Sequence, residues 1–355
     1  MDTHSIFNTH SIFWMSFVVV YLIVFTIDMY STNHREGNIS VKTALRWTAL
    51  WISIAMLYGL AIYLFYPQNE GSEVTTRTIM GIKFVSGYLT EYSLSIDNLF
   101  VFIMIFSMMG VHEKNQPKLL KLGILLSIVL RVLFILVGME LVSKFHWIIY
   151  VFGIILVYTA YKMAFSKEED QVDPKGNFLY KAASKLFAVD PDEHSPKFFS
   201  RINGKLHITT LSLVFLVIGS TDVLFAVDSI PAIIGVIKEG AQGILTLEEE
   251  NFIAITSNVF AVMGLVSLFF ALKGIMGMFR YLKSGVSFIL FFIGAKMLLC
   301  AIPAVEEVFV EHSWLSLMVI ITSLLVSILL SVMIKEAKRD SRERSIDVGD
   351  ERELD

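Results

Sequence analysis

Two stretches of this sequence set acids inside apolar chain. Thr90–Asn98, TEYSLSIDN, carries Glu91 and Asp97 between IMGIKFVSGYL and LFVFIMIFSMM. Gly219–Ala232, GSTDVLFAVDSIPA, carries Asp222 and Asp228 in a similar setting. A carboxylate within a bilayer costs roughly 2.5–3.5 kcal/mol on insertion scales, so four unpaired ones would cost on the order of 10 kcal/mol. Acids at such positions hold another charge, a proton or a cation. The two stretches also share a pattern: a threonine, an acid, a second acid six positions on, then a small polar residue. It reads Thr90, Glu91, Asp97, Asn98 in the first and Thr221, Asp222, Asp228, Ser229 in the second.

Charge pairing alone does not account for these acids. Arg131, in IVLRVLF, lies near the middle of the following apolar run and can neutralise one acid, not four. Lys83 and Lys296 lie nearer the ends of their runs, where a lysine can snorkel to water. At least one carboxylate therefore needs a cation or a proton. None of the eight histidines falls in the interior of an apolar run, and the lone Cys300 lies near the end of one. Copper or zinc would want imidazole or thiolate, whereas oxygen ligands suit Mg²⁺, Ca²⁺ or Mn²⁺. Asp97, Asn98, Asp222, Asp228 and Ser229 supply carboxylates, an amide oxygen and a hydroxyl. That set suits six-coordinate Mn²⁺ and leaves Mg²⁺ and Ca²⁺ open. The 16 methionines, Met104, Met108 and Met109 among them, read as ordinary apolar filler. No prosthetic group is implied. No GxxxxGK[ST] occurs, so movement of a cation would be secondary or passive, with metal-for-proton exchange at a carboxylate as a natural coupling.

Helix geometry constrains the site. Positions six apart differ by about 240° of rotation, so Glu91 and Asp97 share no face of a straight helix, while Glu91 shares one with Ser95 and Asn98, and Asp222 with Ser229. The acids converge if the helix unwinds or if different faces line one cavity. Pro231 favours unwinding, because it leaves the Val227 carbonyl without its helical donor.

The elements that must position these residues are membrane helices. Of 355 residues 55% are hydrophobic and 17% charged, with mean hydropathy +0.66. Nine apolar runs approach the roughly 20 residues a spanning helix needs: 12–30, 44–66, 79–109, 119–138, 146–165, 208–237, 252–272, 281–302 and 313–334. The third and sixth are too long for one perpendicular crossing and predict tilt, a break or extension past the bilayer. The absence of Lys or Arg before the first run argues against a cleaved signal peptide, and one cysteine excludes an intrachain disulfide.

Basic residues alternate between the two sides of these runs. One side carries Arg35, Lys42 and Arg46, then Lys114, Lys118 and Lys121, the Lys-rich 166–207 segment, Lys273, Arg280 and Lys283, and the tail; the other carries Arg77, Lys144 and Lys238. The positive-inside rule then sets the N-terminus outside and the C-terminus in the cytoplasm of a multi-pass inner-membrane protein. The outer side is acidic, a field that would concentrate or release cations. Within 166–207, FLYKAASKLF predicts an amphipathic helix on the membrane surface. The polar tail 336–355 predicts disorder, leaving 1–335 as the transmembrane domain.

On this topology the third and sixth runs point in opposite directions, so the two motif copies are antiparallel. This is the mark of an inverted repeat, with a substrate site near the midplane on discontinuous helices. The predicted fold is all-α and polytopic: repeat 1 over 79–165, repeat 2 over 208–302, and accessory helices.

At these residues the chain resembles the TerC family of integral membrane proteins, its longer Alx-like members in particular. The likeness rests on EYSLSIDN, TDVLFAVDSIPA, SNVFAVMGL (Ser257–Leu265) and FIGAKMLL (Phe292–Leu299), and covers about residues 10–335. It implies metal-ion homeostasis, best described as Mn²⁺ export, and a kinship with LysE-type exporters; the family name comes from tellurite resistance. Carried over, the acidic motif positions are Glu91, Asp97, Asn98, Asp222 and Asp228. Where family members commonly have GLR, this chain has GLV at Gly264–Val266, which would leave one carboxylate less neutralised.

Three readings compete. In the first, a divalent-cation exporter binds metal at Asp97, Asp222 and Asp228, completed by Asn98 and Ser229, with Glu91 and Arg131 as a gating or charge-balancing pair. In the second, a sensor or accessory protein binds metal without moving it, handing it to secreted partners or acting in metal or tellurite stress. The third is an intramembrane aspartyl protease with Asp97 and Asp222 as dyad; GSTD shares only Gly and Asp with GxGD, and no PAL motif follows. The expected partners are the metal cation, the bilayer and other membrane proteins, and not nucleic acid. The protein is expected not to be an enzyme.

Overall fold

The computed structural model describes residues 3–33, 40–67, 76–165, 174, 176–190, 197–202, 204–238, 244–275, 281–302, 305, 308–309 and 314–333. The tail 336–355 lies outside the described residues, as do 166–173 and 191–196 of the intervening segment. The helices are α1 (Thr3–Asn33), α2 (Val41–Phe65), α3 (Thr76–Met108), α4 (Gln116–Lys144) and α5 (Ile148–Phe165), then the short α6 (Phe178–Leu186). They continue with α7 (Thr210–Lys238), α8 (Leu247–Val262), α9 (Leu265–Ile275), α10 (Leu282–Leu299) and α11 (Trp314–Met333). Each of the nine apolar runs carries one of these elements, the seventh being split into α8 and α9. Among the described residues seven helices are long and apolar enough to cross a membrane, eight if the bent pair α8–α9 counts as one. Their outward faces carry residues such as Leu57, Tyr158 and Leu329, which are exposed and suit lipid rather than water.

The long third run forms one continuous helix. At 33 residues α3 measures about 50 Å, well beyond a hydrocarbon core of about 30 Å. α7 is also continuous over 29 residues, with Pro231 inside it. The unwinding that Pro231 favours is therefore not found at the motif. Proline removes one N–H donor, and α7 is held on several sides by α3, α4, α5, α8 and α10, enough lateral packing to keep the turn helical. The break falls instead in the seventh run. Met263 leaves helical geometry, Gly264 takes φ +80, and α8 and α9 meet at 44°. A Cβ built on Gly264 would run into the Trp51 ring of α2, so glycine serves both the left-handed backbone and the close approach.

Packing follows an exchange of partners. α3 lies mainly along α8 and α7 mainly along α4, while α3 and α7 touch each other. α5 and α10 pack lengthwise and cross at reciprocal glycines. A Cβ on Gly294 would sit 2.8 Å from the Gly153 carbonyl oxygen, and one on Gly153 would sit 3.1 Å from that of Gly294. Gly294→Val is expected to cost about 3 kcal/mol through overpacking against backbone, and Gly294→Ala less. Thermal unfolding in detergent checks this; equal stability of the valine variant and wild type would refute the close crossing.

The intervening segment contains more than α6. Strands β1 (Ala188–Val189), β2 (Phe199–Ile202) and β3 (Lys205–Ile208) form a small sheet in the order β1-β3-β2, with β1 parallel and β2 antiparallel to β3. The all-α expectation did not include it. α6 does form over the FLYKAASKLF stretch, with Phe178 and Leu186 exposed. Asn177 caps it, its Oδ1 accepting from the N–H groups of Leu179 and Tyr180. The same side chain donates to Ser220 Oγ at 2.7 Å, tying this segment to α7 two residues before Asp222.

Two apolar cores flank the motif level. One contains Tyr88 and Leu94 of α3, Ile135 of α4 and Ala226 of α7. The other contains Leu99, Ile124 and Ile218 from the same three helices. Glu91, Arg131 and Asp222 fall at the seam between them.

Candidate metal centre

Glu91 is buried on α3 at 1% exposure, yet it is fully engaged. Its Oε1 forms an ion pair with the Arg131 guanidinium of α4 and accepts from Ser95 Oγ at 3.3 Å, one turn along α3. Its Oε2 accepts from Asn258 Nδ2 of α8 at 2.8 Å. Arg131 Nε in turn donates to Ser127 Oγ at 3.1 Å, four residues back on the same face of α4.

Asp222 of α7 approaches this group from the other side. It is buried at 6% exposure, and Arg131 and Ser127 are the groups that act on it. Its Oδ2 has no hydrogen-bond partner. The guanidinium that pairs with Glu91 thus also acts electrostatically on Asp222. Helix pairing explains the convergence: α3 reaches Asn258 through α8, and α7 reaches Ser127 and Arg131 through α4. A fixed cation between two buried carboxylates leaves one negative charge over, a site that a second cation or a proton can fill.

Residues 76–339 match the family described as Integral membrane protein TerC family. The chain belongs to the TerC family. It is a multi-pass membrane protein. It is 36% identical over 287 residues to a proposed membrane-bound redox modulator, Alx, of Salmonella typhi, covering 81% of this chain and 85% of that one. The Alx of Escherichia coli K12 is 37% identical over 290 residues, 81% and 85% of the two chains. An uncharacterized membrane protein of Rickettsia bellii is 33% identical over 327 residues, 90% and 98% of the two. No solved structure matches.

Of the site residues that the sequence of this TerC protein points to, Glu91, Arg131 and Asp222 come together. The side chains of Asp97 and Asp228 lie outside the described residues, although their backbones belong to the continuous α3 and α7. Asn98 is half-buried. Ser229 is buried at 1% exposure, with its Oγ unpartnered. Among the described side chains, which include Glu91 and Asp222 but not Asp97 and Asp228, no three of His, Cys, Asp and Glu cluster as a metal cage.

Asn258, Ser127 and Ser95 complete the polar group. Ser95 was expected on the face of Glu91; the contacts of Asn258 and Ser127 were not anticipated, although Ser127 stands four residues before Arg131 on the same helix face. Asn258 is the one polar amide in an otherwise apolar stretch, SNVFAVMGL, a hint that a buried partner exists.

The two lysines expected to snorkel do not. Lys83 is buried and its Nζ donates to the Val236 carbonyl at 2.7 Å. Lys296 is also buried; it donates to Ser316 Oγ at 2.6 Å and lies 4.3 Å from the centre of the Phe309 ring. In each case a carbonyl, hydroxyl or ring on a neighbouring helix stands in for water. Lys238 and Glu250 pair at 2.7 Å, both largely buried, linking α7 to α8. Val266, at the GLV departure, lines a cavity with Asp28 and Lys121, so a side chain there faces Asp28.

Proposed function

We propose that this TerC protein exports a hard divalent cation, Mn²⁺ above others, across the inner membrane by a secondary mechanism. The observation that carries the reading is the charge balance at the seam: Glu91 and Asp222 meet at Arg131, with Asp222 Oδ2 unpartnered. Asp97 and Asp228 add two further carboxylates on the same two helices. In this reading Asp97, Asp222 and Asp228 bind the ion, Asn98 and Ser229 complete its oxygen shell, and Glu91 with Arg131 balances charge as the site loads and empties. All these groups are oxygen donors, the choice of a hard cation.

The exchanged pairing of α3 with α8 and α7 with α4, and the α5–α10 crossing at Gly153 and Gly294, support two inverted three-helix repeats around the site. The alternation of basic residues supports an outside N-terminus and a cytoplasmic C-terminus. The relatives' description as redox modulators would have to be met here without an intrachain dithiol, because the chain has one cysteine. No catalytic role is proposed. A protease dyad needs two carboxylates sharing a proton, and Asp222 lies instead in the field of Arg131.

Mn²⁺ flux into vesicles holding the purified protein tests the reading. Wild type is expected to move Mn²⁺ and Asp97→Ala to lose that flux. Saturable Mn²⁺ binding without any flux would transfer the reading to a sensor or accessory protein. Flux unchanged in Asp97→Ala would remove the site assignment.

A further inference from the structure

Asp28 takes no part in the site described above, yet it occupies a built environment. It lies near the end of α1, among α2, α4 and the α8–α9 break. The Trp51 ring, the Ser267 hydroxyl and the Lys121 ammonium lie near enough to act on it. Asp28, Lys121, Val262, Met263, Gly264 and Val266 share the lining of a cavity of about 20 Å³, room for one water-sized species.

The break makes this cavity rich in oxygen. In an unbroken helix Leu265, Val266 and Ser267 would donate to the carbonyls of Ala261, Val262 and Met263. Among the described backbone hydrogen bonds these three links are missing; Met263 donates to Val259 and Leu268 to Gly264 instead. The freed carbonyls of Val262 and Met263 belong to residues that line the cavity, at the negative end of the α8 dipole. Carbonyls at the end of an interrupted membrane helix, beside a carboxylate, are a recurring cation-binding arrangement. The break also offers the N–H groups that begin α9, which a carboxylate could cap.

We propose that Asp28, the Ser267 hydroxyl and the carbonyls freed at the α8–α9 break form a second site for a hard cation, for which the Lys121 ammonium lining the same cavity is the competing positive charge. Its place along α4 connects it to the first site. Lys121, Ile124 and Ile128 share one face of α4, and Arg131 is the next residue on that face. Ten residues of helix separate Lys121 from Arg131, about 15 Å. A cation displacing the Lys121 ammonium beside Asp28 would stand about 15 Å from the Arg131 group along the same face of α4. The cavity admits a single ion shed of most of its water. Such an ion is either the divalent cargo on its way to the seam, which rests on the export reading, or a monovalent coupling ion.

Trp51 reports the site directly, because its ring lies against Gly264 at the break and near enough to Asp28 to act on it. The test is tryptophan emission of the purified full chain titrated separately with Mn²⁺ and with Na⁺, the signal being assigned by its loss in Trp51→Phe. Either cation is expected to change the Trp51 emission, and which one does so identifies the source. Asp28→Asn is expected to abolish the change, and Ser267→Ala to weaken apparent affinity. Lys121→Met is expected to tighten binding about tenfold by removing the competing charge. Gel filtration confirms that each variant is folded. No Trp51 response to either cation, a response that survives Asp28→Asn, or binding weakened by Lys121→Met would each overturn the inference. Mn²⁺ flux in vesicles is scored separately, so an exporter without this site, or this site without export, would be told apart.

Discussion

Arg131→Met is expected to destabilise the protein by about 3–5 kcal/mol, the range for removing one partner of a buried ion pair. The guanidinium is 5% exposed and its partner Glu91 1% exposed, so neither charge has water to fall back on. Its removal strands two carboxylates, Glu91 and Asp222, at the same level of the bundle. Glu91→Gln is expected to cost less. It leaves Arg131 with Asp222, and the glutamine oxygen still accepts from Asn258 Nδ2. Adding Glu91→Gln to Arg131→Met should recover part of the lost stability, because it removes one stranded charge. Thermal unfolding of the four proteins in detergent gives the comparison. Equal losses in the two single variants would mean that Arg131 serves Glu91 alone, and the shared-guanidinium account of the seam would fall.

The second large effect is functional and runs the other way in stability. Asp222→Asn is expected to lower Mn²⁺ flux at least 100-fold, about 2.8 kcal/mol lost from the loaded state at about 1.4 kcal/mol per tenfold. The same change should leave folding stability within about 1 kcal/mol of wild type, or raise it, because a buried charge with an unpartnered oxygen is replaced by a neutral amide. Arg131 then keeps Glu91 in a one-to-one pair. Flux in vesicles and thermal unfolding on the same preparations check both halves. If Asp222→Asn unfolds as readily as Arg131→Met, Asp222 is a structural counter-ion and the cation-binding role passes from it.

These opposite signs follow from one arrangement: two acids, one arginine, and an apolar core on either side. A pair balanced one-to-one would only brace the helices. The surplus acid gives the seam a charge to exchange, at the level where the α3–α8 and α7–α4 pairs meet.

Much of this was readable in the chain itself. The membrane class, the helices on the nine runs, the four intramembrane acids, the short helix at FLYKAASKLF and the likeness to the TerC family are all local or compositional signals. Partition of a segment between water and lipid depends on that segment's own residues, and a carboxylate in an apolar run stands out without reference to any partner. Arg131 as the partner of Glu91 was also within reach, as the arginine nearest the middle of a run.

Only the tertiary structure decided the rest. Asn258 meets Glu91 across 167 residues of sequence, a contact set by the rotation of α8 against α3. Pro231 was an evident helix-breaker, yet α7 stays helical because neighbours hold it on several sides, and the chain breaks at Gly264, where Trp51 presses on the backbone. Lys83 and Lys296 were placed at the interface by their positions along the helix, yet their ammonium groups find a carbonyl, a hydroxyl and a ring on adjacent helices. Asp28 lies near the end of its run, and α4 and the α8–α9 break set what lines the cavity beside it. In each case the residue's type sets what it requires, and the helix packed beside it decides what meets that requirement.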